Sequence, residues 1–324
     1  MDVIFTMNED NTISMIIDTN FATRTLNNVK MMWLIPVPNM PTIKILPNNL
    51  IGKMRYMTQP QFILPSHPCD SIRRDDISVD SAYSETVRLE EYTLLAYDEI
   101  EEAILQWRDE GYALPSSLDA TIMGYIQQEM FFVAIPLDFF SIRIDPIQIT
   151  YQADTPILPL LLADSSYQPP IRIWILADVP YIPQNITHHQ FDYTTFTTYS
   201  EIYGERYIWD NFYAFNQFES GYYEPRIQAL AQLHHGVFIT EMAIPIGELT
   251  STDDVFVDNW LSQFAYITRF RGQLSQTPPE EDIIFVPAPD FPDISPIIDL
   301  NECVDPLHFW GCSTRATMQI MPIM

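Results

Sequence analysis

The chain has 324 residues, of which 47% are hydrophobic and 13% aromatic, so it is long and apolar enough to bury a sizeable core. Its 43 acidic residues against 16 basic ones give a formal net charge of −27, which disfavours nucleic acids and anionic membranes as partners. There is no run of about eighteen apolar residues that predicts a transmembrane helix, and the first ten residues, MDVIFTMNED, lack the basic and apolar regions of a signal peptide.

The first elements are predicted strands. DVIFTM and TISMIIDTNF flank the polar NEDN, an arrangement typical of a β-hairpin. KMMWLIPVPNMPTIKILP continues as extended chain, with prolines that cannot lie in a central strand. Residues 46–86 carry few periodic signals, and we predict a loop-rich crossing there.

A helical pair is predicted over residues 98–130, because apolar residues recur at three- and four-residue spacing in EIEEAILQW and again in LDATIMGYI. Asp98 is the predicted N-cap of the first helix, and Gly111 lies where its C-terminal cap belongs. A DNA-binding helix-turn-helix is excluded, since the second helix carries Asp119 and Glu129 but no basic residue.

The chain then returns to strands, and the apolar runs LPLLLA and IWILA predict strands that are covered on both faces. We therefore predict an α+β fold, a mainly antiparallel, proline-edged β core into which the helical pair (about 98–130) is inserted. Residues 1–180 form its β-rich half with the helical pair. Residues 181–324 form an aromatic-rich and acidic half, packed on the first as one compact unit.

Thirteen aromatic rings lie between Phe191 and Tyr223. Flat apolar rings with hydroxyl groups suit a sugar-binding platform, but they equally suit a core or a protein interface. A core or an interface is the more common role for such a stretch.

Three cysteines leave one without an intrachain partner. Cys303 and Cys312 flank the loop VDPLHFWG and are predicted to form a disulfide, whereas Cys69 is either free or paired outside the chain. Their spacing matches no zinc motif.

Two histidine doublets, in NITHHQFD and QLHHGVFITE, lie close to acidic residues. If a doublet lies in a strand, its two side chains point to opposite faces, so only one histidine of the pair can serve a given site. His189, Asp192, His235 and Glu241 are the candidate metal ligands, although we predict no metal, cofactor or catalytic site. The acidic surroundings are expected to raise the histidine pKa values.

Several blocks along the chain, taken in order, resemble one bacterial family. They are DVIFTMNEDNTISMIIDTNF, WLIPVPNMPTIKIL, IMGYIQQEMFFVAIPL, IRIWILAD, VFITEMA and YITRFRGQLSQTPPEEDIIFVPAPD. This family is catalogued as domain of unknown function 2330. The resemblance implies an exported bacterial protein that usually carries a signal peptide and a cysteine-bearing segment upstream of the first block. It implies no activity and no catalytic residue.

The leading functional hypothesis is a non-enzymatic exported or cell-envelope protein with a structural or protein-binding role. Its partner is another protein or a second copy of itself, and divalent cations are candidate ligands of its acidic surface. The sequence has no nucleophile elbow, P-loop, dinucleotide fingerprint or HExxH motif. An uncharacterised hydrolase or metal-binding enzyme stays open as one alternative. A carbohydrate-binding module that uses residues 191–223 is the other.

Overall fold

The computed structural model describes nine stretches of the chain, which form a β-rich α+β fold. The stretches are residues 1–18, 30–46, 49–63, 91–137, 145–162, 170–191, 224–249, 254–275 and 280–299. Sixteen strands lie in them: β1 (Asp2–Met7), β2 (Thr12–Asp18), β3 (Met31–Val37), β4 (Thr42–Ile45), β5 (Gln61–Ile63), β6 (Thr93–Leu95), β7 (Phe131–Leu137), β8 (Ile147–Gln152), β9 (Ile157–Leu158), β10 (Ile171–Ala177), β11 (Tyr181–Pro183), β12 (Thr187–Gln190), β13 (Gly236–Pro245), β14 (Tyr266–Leu274), β15 (Ile283–Pro287) and β16 (Ile297–Asp299).

Five α-helices lie in the same stretches: α1 (Asn49–Thr58), α2 (Ile100–Asp109), α3 (Asp119–Gln127), α4 (Glu224–His234) and α5 (Val255–Leu261). A 3₁₀ turn precedes α3, and another follows β13. None of the helices in this part of the chain is both long and apolar enough to cross a membrane.

Eight strands form the central sheet, in the order β12-β13-β14-β10-β1-β2-β8-β4. Two neighbouring pairs in it, β1 with β10 and β12 with β13, run parallel, and the other pairs are antiparallel. Strands from both sides of residue 180 therefore contribute to one sheet.

The two faces of the central sheet are covered differently. One face, which we call the sheet face, carries Val3, Phe5 and Phe270 and packs against residues of β7 and β15 in the smaller sheets. The other, the helix face, carries Ile4, Trp174 and Ile267 and packs against α1 and α5. Strand alternation explains this division, because Val3 and Ile4 follow one another along β1 and both are fully buried.

A fourth layer lies outside the three-stranded sheet β3-β7-β6. Phe132 of β7 there packs against Ile100 and Ile104 of α2 and against Ile122 and Tyr125 of α3. The layers are therefore, in order, α1 with α5, the central sheet, the smaller sheets, and the helical pair.

Several sequence predictions are confirmed. DVIFTM and TISMIID pair as the antiparallel hairpin β1–β2. IRIWILA forms β10, which has neighbours on both sides and is buried along almost its whole length. Helices α2 and α3 lie within the predicted 98–130 pair, and Gly111 ends the first of them with a left-handed φ of 87°.

Other predictions differ from the structure. The N-cap of α2 is Glu99 and not Asp98. LPLLLA is no central strand, because only Ile157 and Leu158 pair with β15 and Pro159 then offers no N–H to the ladder. The predicted loop-rich stretch contains α1, whose Leu50, Ile51 and Met54 are buried on the helix face.

Gly272 lies at a close approach between β13 and β14 of the central sheet. It lies opposite Phe238 in the β13–β14 register, and a Cβ added to it would lie 2.5 Å from the Phe238 ring. The ring is fully buried, so Gly272→Ala is expected to lower the free energy of unfolding by about 1–3 kcal/mol, measured by urea denaturation.

A matched control is Gly124→Ala in the interior of α3, where an added Cβ has no atom within 4 Å. Because glycine is a poor helix former, this change is expected to raise stability by up to about 1 kcal/mol. Equal effects of the two substitutions would contradict the close approach at Gly272.

Candidate functional site

The two histidine doublets come together at the β12 edge of the central sheet. β12 pairs in parallel with β13, in a register that places His188 opposite Phe238 and His189 opposite Ile239. The second doublet lies at the end of α4, immediately before β13 begins. The pairing of β12 with β13 thus brings the second doublet beside the first, although the two are far apart in sequence.

His188 points to the sheet face. Its Nε2 lies 2.6 Å from Oγ1 of Thr240, and its ring packs against Phe270 and Phe291, with centroids 6.1 and 5.7 Å apart. Burial, with a smaller contribution from neighbouring His189, lowers the pKa of His188 to about 4. The expected rise of histidine pKa values is therefore wrong for His188, because loss of solvation outweighs the acidic surroundings.

The lowered pKa of His188 predicts a pH dependence of stability. In the unfolded chain this histidine takes up a proton near pH 6.5, but in the folded chain only near pH 4. Its contribution is complete above about pH 6.5 and declines as the pH falls towards 4. Between pH 7 and 4.5 the wild type is expected to lose about 1–2 kcal/mol more of its unfolding free energy than His188→Gln, after allowance for partial solvent screening.

The free energies of unfolding of the wild type and His188→Gln are compared by urea denaturation at several pH values. The difference between them reports on His188 alone, because the two proteins share all other titrating groups. An NMR titration of the wild type gives an independent measurement of the ring. A His188 signal that titrates at or above pH 6.5 would contradict the burial argument.

His189 and His234 are the two rings that approach one another on the solvent side. Both are exposed, and their centroids are 6.3 Å apart. His235, next in the chain, adopts a left-handed φ of 60°, and Gly236 follows with a φ of 130°. This turn leads α4 directly into β13 and fixes where His234 lies.

Glu241 is separated from the histidine rings by its own ion pair. It lies at a bulge in β13, and its Oε2 is 2.8 Å from Nε of Arg269. Glu241 is 1% exposed and Arg269 is 2% exposed. Asp192, Cys69, Cys303, Cys312 and almost all of the 191–223 aromatic stretch lie outside the described residues. Within the part that is described, no three His, Cys, Asp or Glu side chains converge as metal ligands.

The Glu241–Arg269 pair belongs to a larger set of ion pairs on the helix face of the central sheet. Asp2 of β1 contacts Arg172 of β10 and Arg55 of α1, and Arg55 also lies 3.5 Å from Asp18. At the other end of the face, Arg271 pairs with Glu224 of α4. Four arginines of a chain with only sixteen basic residues thus form ion pairs on this face.

The ion pairs of the helix face are not predicted by the sequence patterns described above. Asp2 and Asp18 are ordinary acidic residues in a very acidic chain, and their arginine partners come from elements far away in sequence. The alternation of ITRFRGQ places Arg269, Arg271 and Gln273 on one face of a buried strand, and it is a sequence feature from which buried arginines could be inferred.

An apolar patch lies on the solvent side of α1 and α5. It consists of Tyr56, Val255 and Phe256, which are 72%, 75% and 59% exposed. Lys53 of α1 forms an ion pair with Asp254, the N-cap of α5, whose carboxylate accepts hydrogen bonds from the Phe256 and Val257 amides. Tyr56 lies about one helical turn after Lys53, and Val255 and Phe256 directly follow Asp254, so the three exposed apolar side chains flank this ion pair.

An acidic cleft lies near the other end of α5. It has a volume of about 290 Å³, and its walls include Glu9 of the β1–β2 turn, Asp154, Asp178 and Gln263. Gln263 follows α5 by two residues, so the cleft and the apolar patch lie at opposite ends of one short helix. A helix of this length spans about 10 Å.

Comparison with solved structures finds distant similarities. The crystal structure of baculovirus P35 shares 10% identity over 60% of this chain, with a TM-score of 0.36, and the matched region spans 65% of the P35 chain. A mutated baculovirus P35 after caspase cleavage gives 12% identity over 60% of this chain and 68% of that one, with a TM-score of 0.32. A chain of the caspase-8/P35 complex gives 8% identity over 88% and 95%, with a TM-score of 0.35.

Comparison with curated proteins gives no match. A family model described as an uncharacterized protein conserved in bacteria, DUF2330, matches residues 6–200. This match confirms the resemblance that the ordered sequence blocks indicated. Since the matched residues make up more than half of the chain, the protein belongs to this bacterial family, domain of unknown function 2330.

Proposed function

We propose that the protein is a non-enzymatic, exported component of the bacterial cell envelope that binds another protein. The observation that carries the proposal is the apolar patch of Tyr56, Val255 and Phe256. Large apolar side chains grouped on a surface otherwise rich in charge are typical of protein interaction sites. The exported location is supported by the resemblance of the sequence blocks to exported family members.

The patch is held on a rigid base. The opposite sides of its two helices, with Leu50, Met54 and Val257, are buried against the central sheet. The Lys53–Asp254 pair links α1 to the start of α5, next to the exposed side chains in sequence. A partner therefore meets a preformed surface, which keeps the entropic cost of binding low.

The charge of the molecule defines the chemistry of the partner. Glu9, Asp154 and Asp178 line the cleft at the far end of α5, and the whole chain carries a formal charge of −27. A partner with apolar side chains for the patch and Lys or Arg residues for the cleft complements both features. Two copies of this chain repel one another, so a different, basic protein is the proposed partner rather than a second copy.

The test is co-purification from the envelope fraction of the native bacterium with wild type and two double variants. Val255→Ser with Phe256→Ser removes the apolar patch. Leu105→Ser with Leu233→Ser is the matched control, because these side chains are 63% and 71% exposed but lie on α2 and α4, away from the patch.

A basic partner is expected to be retained by the wild type and by the control, and to be lost from the patch variant. Quantitative binding of the purified partner is expected to weaken at least about tenfold in the patch variant, since apolar anchors carry most of an interface. Equal retention by all three proteins would refute the patch as the binding surface. Detection of the protein only in the cytosol would refute the envelope location.

A further inference from the structure

Two exposed imidazole rings face each other at the β12 edge of the central sheet. His189 comes from β12 and His234 from the last turn of α4, and their ring centroids are 6.3 Å apart. Two imidazoles on one metal ion have ring centres about 5 Å apart at a tetrahedral angle and about 6.5 Å apart on opposite sides of the ion, because each metal–nitrogen bond is about 2 Å long. The observed separation fits ligands on opposite sides, as in a square-planar site, and a small rotation of the side chains gives the tetrahedral arrangement. We propose that His189 and His234 together bind a divalent transition-metal ion, with water in its remaining positions.

Both ligands are held in place by β13. β12 is paired with β13 in register, and the pairing continues in a hydrogen bond from the Phe191 amide to the Thr240 carbonyl. His234 reaches β13 through the turn at His235 and Gly236. The backbone positions of the two ligands are therefore fixed relative to each other. The rings can aim their nitrogens at a common ion by rotation of exposed side chains alone.

The other histidines of the doublets are not in ring contact with His189 and His234 in this way. His188 lies on the opposite face of β12, where it contacts Thr240, Phe270 and Phe291. His235 lies one residue beyond the end of α4, in the left-handed turn. The site therefore takes one histidine from each doublet.

The ligand type selects the metal. Neutral imidazole nitrogens suit Cu²⁺, Ni²⁺ and Zn²⁺, whereas Mg²⁺ and Ca²⁺ prefer oxygen ligands. Among the three, Cu²⁺ is expected to bind most tightly. The net charge of −27 raises the local concentration of any cation at the surface, which favours binding by only two protein ligands.

The test is calorimetric titration of the untagged protein with CuCl₂ and ZnCl₂, in a buffer whose excess Mg²⁺ occupies the acidic surface. One ion per chain is expected to bind in the wild type. His189→Ala and His234→Ala are each expected to weaken Cu²⁺ binding by more than about tenfold. Loss of a residue that only supports a metal ligand already costs roughly tenfold in affinity. His235→Ala, the matched control from the same doublet, is expected to keep the wild-type affinity.

Electron paramagnetic resonance of bound Cu²⁺ supplies a second readout. Two imidazole nitrogens are expected in the wild type and one in either ligand variant. All three substitutions are at exposed side chains, so unchanged circular dichroism melting curves are expected, and glutamine replaces alanine in any variant that melts early. Wild-type Cu²⁺ affinity in His189→Ala or His234→Ala would overturn the site. So would an equal loss in His235→Ala, or a wild type that binds no ion under these conditions.

Discussion

Arg269→Met is expected to lower the free energy of unfolding by about 3–5 kcal/mol, measured by urea or guanidinium denaturation. The guanidinium of Arg269 is the partner of Glu241, and both residues are almost fully buried. Its Nη1 also lies 3.4 Å from Oγ1 of Thr58, the last residue of α1. Methionine keeps much of the volume but leaves the carboxylate buried without its opposite charge. Arg269 also lies over the Trp174 ring, 5.7 Å from its centroid, so this contact is lost as well.

The control is the double variant Glu241→Met with Arg269→Met. Replacement of both members of a buried pair by apolar residues of similar size is often close to neutral, so the double variant is expected to be more stable than Arg269→Met alone. The two charges are not coupled if Glu241→Met lowers the free energy of unfolding equally in the wild type and in Arg269→Met. The ion pair is then not the source of the stability lost in Arg269→Met.

Asp282→Ala is expected to lower the free energy of unfolding by about 3 kcal/mol, because three donors lose their acceptor at once. Its carboxylate accepts a hydrogen bond from the Tyr125 hydroxyl at 2.7 Å and bonds from the amides of Leu160 and Leu161 at 2.9 and 3.2 Å. These contacts join α3 to β15 and to the segment that follows β9. Burial raises the pKa of the Asp282 carboxyl, so its charged form depends on these donors.

Two further substitutions separate the contributions of the three hydrogen-bond donors to this loss of stability. Tyr125→Phe removes one donor and is expected to cost about 1 kcal/mol, and Asp282→Asn, which retains an acceptor oxygen, is expected to cost less than Asp282→Ala. A loss in Asp282→Ala no larger than that in Tyr125→Phe would show that the two amides do not depend on the carboxylate.

The local part of the fold could be predicted from the sequence. The hairpin β1–β2 and the helices α2 and α3 follow from apolar periodicity and from turn residues, which act over a few neighbours. α1 has no clear helical pattern in the sequence, because Gly52 and Lys53 interrupt its apolar residues. The helix is stabilised mainly by burial of Leu50 and Met54 against the sheet. The parallel pairing of β12 with β13 depends on contacts between remote segments, which periodicity does not encode.

The candidate sites show the same limit. Strand alternation predicted that His188 and His189 point to opposite faces, and the structure confirms it. That His189 meets His234 follows only from the pairing of β12 with β13. Glu241 lies near the second histidine doublet in sequence, which indicates a common site. The bulge in β13 and the buried guanidinium of Arg269 direct its carboxylate elsewhere. The apolar patch depends on the contact between α1 and α5, which are about two hundred residues apart.

The ion pairs of the helix face have a consequence for the solvent side of the molecule. Arg55, Arg172, Arg269 and Arg271 balance the charges of Asp2, Asp18, Glu224 and Glu241, so the excess negative charge of the chain, −27, is carried by its other residues. This excess attracts a dense shell of counterions around the protein. A basic partner that docks at α5 displaces part of this shell. The entropy of the released ions then favours the complex most at low ionic strength.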